Sequence, residues 1–269
     1  MNRRAEGRVE GGSMSSLNVR YLGGPSAILE IGGVRLVVDP TFDAPGDYPI
    51  GSRKLTKTIG AVVGPDEIGA VDAVLLSHDQ HPDNLDTAGR AYLADVPLTL
   101  TTETAAGRLA GTARALPNWE HADLPRPDGG TLRVTGVPAR HGPDGTEHLT
   151  GPVTGFVLSG EGVPTTYVSG DNASLDVVRA IAERFAPIDV AVLFAGGART
   201  PLVGDAHLTL TSEGAAEAAA ILGAARVVPL HFEGWTHFSE GRDTIPPAFD
   251  KAGLTDRLHL LDPGEGIAL

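Results

Sequence analysis

Cysteine is absent from the 269 residues. That excludes disulfides, thiolate metal ligands and a cysteine nucleophile together, and a cytoplasmic protein is the simplest expectation. Basic residues are few: 21 Lys and Arg stand against 34 Asp and Glu, for a formal net charge of −13. A nucleic-acid groove needs a basic surface, so no nucleic-acid partner is expected. No apolar run approaches the roughly 20 residues of a membrane span, so no membrane partner is expected either. Residues 1–16 are polar and Gly-rich and lack the apolar core of a secretory signal. They are expected to form a disordered N-terminal tail, followed by a single domain over residues 17–269, because no linker divides the rest. Aromatic residues make up only 5%, yet a 41% hydrophobic content suffices for a sizeable core.

What the chain does contain is short apolar runs punctuated by glycine. Gly23-Gly24 and Gly32-Gly33 separate the runs 19–22, 27–31 and 34–38, a meander signature. Residues 40–65 are rich in Pro, Gly and Asp and are expected to be a long structureless loop, of the kind that forms lids or binding walls. Helices are expected over 85–93, 102–109, 175–185 and 212–222. Strands are expected over 98–101, 131–137, 153–158, 165–169, 190–194 and 227–230, with extended segments at 258–261 and 267–269. Strands followed by mixed strand and helix thus occur twice over. An α/β four-layer αββα sandwich, with helices outside two face-packed sheets, accommodates that order.

The densest chemistry lies in Ser77-His78-Asp79-Gln80-His81-Pro82-Asp83-Asn84-Leu85-Asp86, directly after the apolar run 71–76. Two imidazoles and several carboxylates crowd one turn where a buried strand ends. Folding does not require that density of donors, whereas a divalent metal uses them all. Three more strand ends carry related residues: His141 after 131–137, Asp171 after 165–169 and His231 after 227–230. Each has an ordinary reading when taken alone. A lone His is usually solvated or satisfied in the core, Gly170-Asp171-Asn172 is common turn chemistry, and Asp83 and Asp86 suit the start of a helix. The same pattern at four strand ends favours a metal, because strand ends bring distant segments together on rigid supports.

On these residues the sequence resembles the metallo-β-lactamase superfamily, and within it the metal-dependent hydrolases similar to ascorbate-6-phosphate lactonases. That superfamily carries H-x-H-x-D-H after a strand, then separate His, Asp and His ligands. The resemblance implies the metallo-β-lactamase fold and a metal set of His78, His81, Asp83, His141, Asp171 and His231. His78, His81 and His141 would hold a first ion with Asp171 shared; Asp83, Asp171 and His231 would hold a second. Two departures stand out. The His78-to-His81 spacing is one residue longer than H-x-H, so the turn must bulge. Asn84 stands where the superfamily has a fourth His, and a neutral amide oxygen suits harder cations better than zinc.

The resemblance also implies one or two divalent ions per chain, zinc first, with manganese or iron as alternatives. The implied activity is hydrolysis of a small-molecule substrate, a lactone, ester, amide or phosphodiester, by a metal-activated water. Asp83 is the expected base, with His207 and His237 as pocket residues that touch substrate or orient a ligand. Asp39 reads either as a turn cap or as a group orienting a ligand, and His121, His148 and His259 as surface or structural. Tyr48, Arg53, Lys54 and Lys57 are expected to line one wall. Two other functions compete. An iron-dependent oxidoreductase would use the same pocket, and a non-catalytic metal-binding protein would explain Asn84 as decay of the second site.

Overall fold

A computed structural model describes residues 16–269. All but Ser16 of the expected tail therefore lies outside the described residues. The first half runs β1 (Leu17–Gly23), β2 (Ser26–Ile31), β3 (Val34–Val38), β4 (Gly46–Ile50), β5 (Arg53–Lys57), α1 (Pro65–Ile68), β6 (Ala73–Leu75), α2 (Thr87–Tyr92), β7 (Thr99–Thr101), α3 (Glu103–Leu109) and β8 (Ala113–Ala115). The second runs β9 (His121–Pro125), β10 (Thr131–Pro138), α4 (Glu147–Thr150), β11 (Thr154–Ser159), β12 (Thr166–Val168), α5 (Leu175–Phe185), β13 (Val190–Phe194), α6 (Ser212–Leu222), β14 (Arg226–Leu230), α7 (Ile245–Lys251) and β15 (Gly266–Ala268).

The seven-stranded sheet has the order β15-β1-β2-β3-β6-β7-β8 and the six-stranded sheet β14-β13-β12-β11-β10-β9. Each mixes antiparallel and parallel pairs. In the first sheet β3, β6, β7 and β8 are parallel; in the second, β12, β13 and β14 are. The reason is local. Ile31 pairs with Val34 across Gly32-Gly33, whose φ values of 57° and 79° suit a two-residue hairpin turn. Parallel neighbours need a longer connection, which α5 and α6 supply.

The two sheets pack face to face. Leu17, Leu29 and Leu36 of the first sheet share one buried cluster with Leu132, Phe156 and Leu158 of the second. That cluster continues through the second sheet to Val178 and Ile181 of α5 and Ala215 and Leu222 of α6. On the outer face of the first sheet, Ile28, Val37 and Val74 pack against Ile68 and Tyr92 of α1 and α2. The fold is therefore a four-layer αββα sandwich. Among the described residues no helix is long and apolar enough to cross a membrane.

The expected helices at 175–185 and 212–222 and the strand at 190–194 form with those bounds. Residues 40–65 correct the reading of a structureless loop. They contain the β4–β5 hairpin, paired from Gly46↔Lys57 to Ile50↔Arg53. Its strands are five residues long, half-exposed, and contain Pro49, so they lack the apolar alternation by which strands are recognised. Backbone bonds to Gly234 and Trp235, and a buried Lys57–Asp86 ion pair at 3.1 Å, fasten it to the body. Residues 258–261 yield only an isolated bridge from Leu258 to Val227. Strands β8 and β9 and helix α7 had no expectation. Helix α7 hides behind Pro246-Pro247, tolerated in its first turn because the missing N–H has no helical acceptor there.

Candidate metal centre

Every expected ligand follows the C-terminal end of a strand: His78, His81 and Asp83 after β6, His141 after β10, Asp171 after β12 and His231 after β14. The ends converge because the two sheets lie face to face with these strands ending on the same rim. Close backbone approach holds the rim together. The Thr154 amide donates to the Ser77 carbonyl at 3.1 Å. A Cβ on Gly170 would lie 2.6 Å from the Thr154 carbonyl oxygen, so only glycine fits immediately before Asp171. His231 itself sits at φ 55°, and its amide donates to the Gly24 carbonyl at 2.7 Å. A left-handed non-glycine residue costs about 1–3 kcal/mol and persists where surrounding structure over-determines it.

His78, His81 and His141 present donor atoms within 4.8 Å of one another. Two ligands of one ion, bonded at about 2.0–2.1 Å, lie up to roughly 4 Å apart, so the grouping is close to that of a ligand set. His78 Nε2 is 2.9 Å and His141 Nε2 3.3 Å from His81 Nδ1. Tautomers are set from behind. His141 Nδ1 donates to the Leu208 carbonyl at 2.9 Å. Ser77 Oγ donates to Asp39 Oδ2 at 2.5 Å, which leaves it to accept from His78 Nδ1 at 2.9 Å. Both Nε2 lone pairs therefore point inward, toward the third ring. Burial, then the repulsion of its neighbours, holds His81 down at about 4, and burial puts His78 well below the usual histidine range. Neutral imidazoles are the ligand form.

Asp83, Asp171 and His231 make a second group of the same span, all three buried. His231 Nε2 is 3.4 Å from both Asp83 Oδ2 and Asp171 Oδ1. Asp171 also lies 4.0 Å from His78 Nε2 and 3.5 Å from His141 Nδ1, so its carboxylate stands between the groups. Burial alone would raise both carboxyls; the facing histidines outweigh it and hold them below the ordinary range. Burial would likewise lower His231, but Asp171 and Asp83 push it up to about 10. Two buried carboxylates demand a positive charge, which imidazolium or a divalent ion can supply. Six buried polar atoms here lack hydrogen-bond partners: Asp83 Oδ1, Asn84 Oδ1, Asp171 Oδ2, both His231 ring nitrogens and His237 Nδ1. Buried polar groups are seldom left so, and a bound cation accounts for the concentration.

Three neighbours refine the expectations. Asn84, at the fourth-His position, donates Nδ2 to Asp39 Oδ2 at 3.0 Å and to Asp171 Oδ1 at 3.2 Å, a neutral clamp between like charges. Asp39 receives the Ser77 amide at 2.6 Å and orients His78 through Ser77; burial drives its carboxyl up to about 7. Asp86 caps α2, accepting from the Gly89 amide at 2.8 Å, and stands outside both groups.

A cleft of about 410 Å³, part of it open to solvent, exposes His81, Asp83, His141 and His237. His237 Nε2 lies 3.0 Å from Asp83 Oδ2. His207 is not among the lining residues. It accepts from Arg199 at 3.1 Å and borders a separate depression. Of the expected wall, Arg53 lines the cleft, whereas Lys54 pairs with Asp47 and Lys57 is buried against Asp86. Sequence reasoning passed over Ser77, Arg199 and the Leu208 carbonyl. Ser77 stood beside the His turn and was the nearest to being found.

The β-lactamase superfamily domain matches residues 34–232. A protein of Pyrococcus abyssi named UPF0173 metal-dependent hydrolase is 27% identical over 258 residues, covering 94% of this chain and all of that one. Among solved structures, an isothiocyanate hydrolase from Delia radicum gut bacteria superposes with a TM-score of 0.79 at 23% identity, over 94% of this chain and 99% of that one. CmlA, a diiron β-hydroxylase from Streptomyces venezuelae, superposes with a TM-score of 0.64 at 18% identity, over 96% of this chain and 54% of that one. At these identities the structural likenesses speak to the fold.

Proposed function

This chain belongs to the β-lactamase superfamily, and from that premise we propose that it is a binuclear metal-dependent hydrolase of small molecules. The observation that carries the reading is the pairing of three clustered imidazoles with a carboxylate–carboxylate–imidazole group across a shared Asp171. The donor sets fit divalent ions. Three histidines suit zinc at the first site, and two carboxylates, one imidazole and a nearby amide oxygen suit zinc, manganese or iron at the second. Such ions supply Lewis acidity and lower the pKa of a coordinated water from about 15.7 toward about 7.

The chain's own groups do the rest. Asp83 faces the cleft and the second group together, in position to take a proton from the nucleophile. His237, held at 3.0 Å by Asp83, presents its ring to the cleft and can pass that proton to the leaving group. His207 acts at one remove, by positioning Arg199. The substrate is a lactone, ester, amide or phosphodiester small enough for the cleft.

Elemental analysis of protein purified without chelator tests the reading, alongside hydrolysis of a panel of those four classes. Two equivalents of metal and turnover of at least one class, abolished by chelator, are expected. Iron as the retained metal without hydrolysis would favour the oxidoreductase reading. No uptake of zinc, manganese or iron would remove the basis for an enzyme.

A further inference from the structure

The substrate's far end is described by residues that take no part in the metal groups. Arg53 and Arg199 are the only Lys or Arg side chains among the cleft's lining residues. Arg53 Nη1 donates to Thr200 Oγ1 at 2.7 Å, and Arg199 donates from Nε and Nη2 to His207 Nε2 at 3.2 and 3.1 Å. Neither forms an ion pair with a carboxylate among the described residues. Elsewhere Arg108, Arg126, Arg133, Arg179 and Arg242 each hold an Asp or Glu, while Arg184 stacks on Trp119 and Arg226 and Arg257 bond carbonyls, so what sets Arg53 and Arg199 apart is that they line the cleft. In a chain with 34 acids against 21 bases, these two cleft-lining guanidiniums are held by a hydroxyl and a ring nitrogen and not by a carboxylate. Such partners orient a guanidinium without supplying a counter-charge.

Their placement is tied to the proposed chemistry. The Arg199 amide donates to the His237 carbonyl at 3.0 Å, and Thr200, which follows Arg199 directly in the chain, accepts from Arg53. The same cleft that holds the two arginines and exposes His81, Asp83, His141 and His237 has apolar walls of Ile50, Leu55, Leu149, Leu202 and Leu208. Leu149 and Leu202 are each 42% exposed, two of only four large hydrophobics so exposed among the described residues. Apolar side chains left open on a cleft rim beside unpaired cations make an amphipathic slot.

We propose that Arg53 and Arg199 form an anion subsite, and that the substrate is a short amphipathic molecule with a carboxylate or phosphate at the end remote from its hydrolysable bond. Arginine's planar fork suits either anion. The low-dielectric leucine walls strengthen the pairing, and the local positive field draws anions to one mouth of a protein of net charge −13. The placement of the hydrolysable end rests on the hydrolase reading above; the anion subsite does not.

Calorimetric titration of metal-loaded protein with straight-chain α,ω-dicarboxylates of four to eight carbons, against monocarboxylates of equal length, tests this. At one chain length or more the dianion is expected to bind at least tenfold tighter, a difference of about 1.4 kcal/mol. Arg53→Gln and Arg199→Gln are each expected to cut that advantage to threefold or less. An arm with ω-phosphonocarboxylates tells a carboxylate-preferring subsite from a phosphate-preferring one. Equal binding of dianion and monoanion at every length, an advantage that survives both substitutions, or no binding of any probe would each overturn the proposal. Metal content is measured on the same samples. A chain that takes up no metal sinks the hydrolase reading, and the arginine subsite is then judged on the same dianion-against-monoanion comparison.

Discussion

Ser77→Ala removes one oxygen that serves two buried partners. Its hydroxyl donates to Asp39 Oδ2 at 2.5 Å and accepts from His78 Nδ1 at 2.9 Å, in a residue 1% exposed. Asp39 keeps the residue-77 amide at 2.6 Å and the Asn84 amide at 3.0 Å, so it is not stripped of donors. His78 Nδ1 is left with no partner. One unsatisfied buried donor costs about 1–3 kcal/mol, so a stability loss of about 2 kcal/mol is expected in urea denaturation of the metal-free protein. The effect on the metal is separate. Without the Ser77 acceptor, His78 loses what fixes its tautomer and ring orientation, and loss of such a partner costs about 10- to 100-fold in metal affinity. Chelator competition on wild type and variant reads that quantity directly. An unchanged affinity, within twofold, beside the expected stability loss would falsify the claim that Asp39 and Ser77 tune the first site.

Three further expectations follow from the same geometry. His141→Ala should reduce metal content from two equivalents to the second-site ion and His231→Ala to the first-site ion, whereas Asp171→Ala, which removes the shared carboxylate, should lower both; full stoichiometry in all three, by elemental analysis, contradicts the assignment. Lys57→Met should destabilise by about 3 kcal/mol, the low end for breaking a buried ion pair, because Asp86 keeps the Gly89 and Asp43 amides; a loss under 1 kcal/mol means the pair does not fasten the hairpin. His231, raised to about 10 from an ordinary 6.5, is protonated at pH 8 until a metal displaces the proton. Loading the second site in weak buffer at pH 8 should then release about one proton from it, and affinity there should climb with pH until about 10. In the metal-free protein the stability that this raised value confers is complete below about 6.5 and lost as pH rises through about 10. A pH-independent second-site affinity between 7 and 9 contradicts the His231 assignment.

Legibility in the sequence tracked how far each signal depended on neighbours. Helices α5 and α6 were found with their bounds because their apolar positions recur along the helix, and strand β13 because it is a short, wholly apolar run buried at every position. The β4–β5 hairpin escaped because its edge is half-solvated and its attachments to Asp86, Gly234 and Trp235 are non-local. His207 and His237 looked alike, each a His in a loop near a strand end. One meets Asp83 in the cleft and the other turns to Arg199, a difference set by which way two loops cross the rim.

The order of elements accommodated the αββα architecture, and the family resemblance carried by four His- or Asp-bearing strand ends nominated every member of the two donor groups and their division between two ions. Those properties are carried by residue type and local spacing, which the chain states outright. That Asn84 clamps Asp39 to Asp171, that Ser77 orients His78, and that Arg53 and Arg199 share one cleft were decided only by the tertiary structure. Asn84 meets Asp39 and Asp171 from 45 and 87 positions away and Arg53 meets Thr200 from 147, while Ser77 adjoins His78 but is itself held by Asp39, 38 positions away; packing two sheets face to face is what makes those distances short.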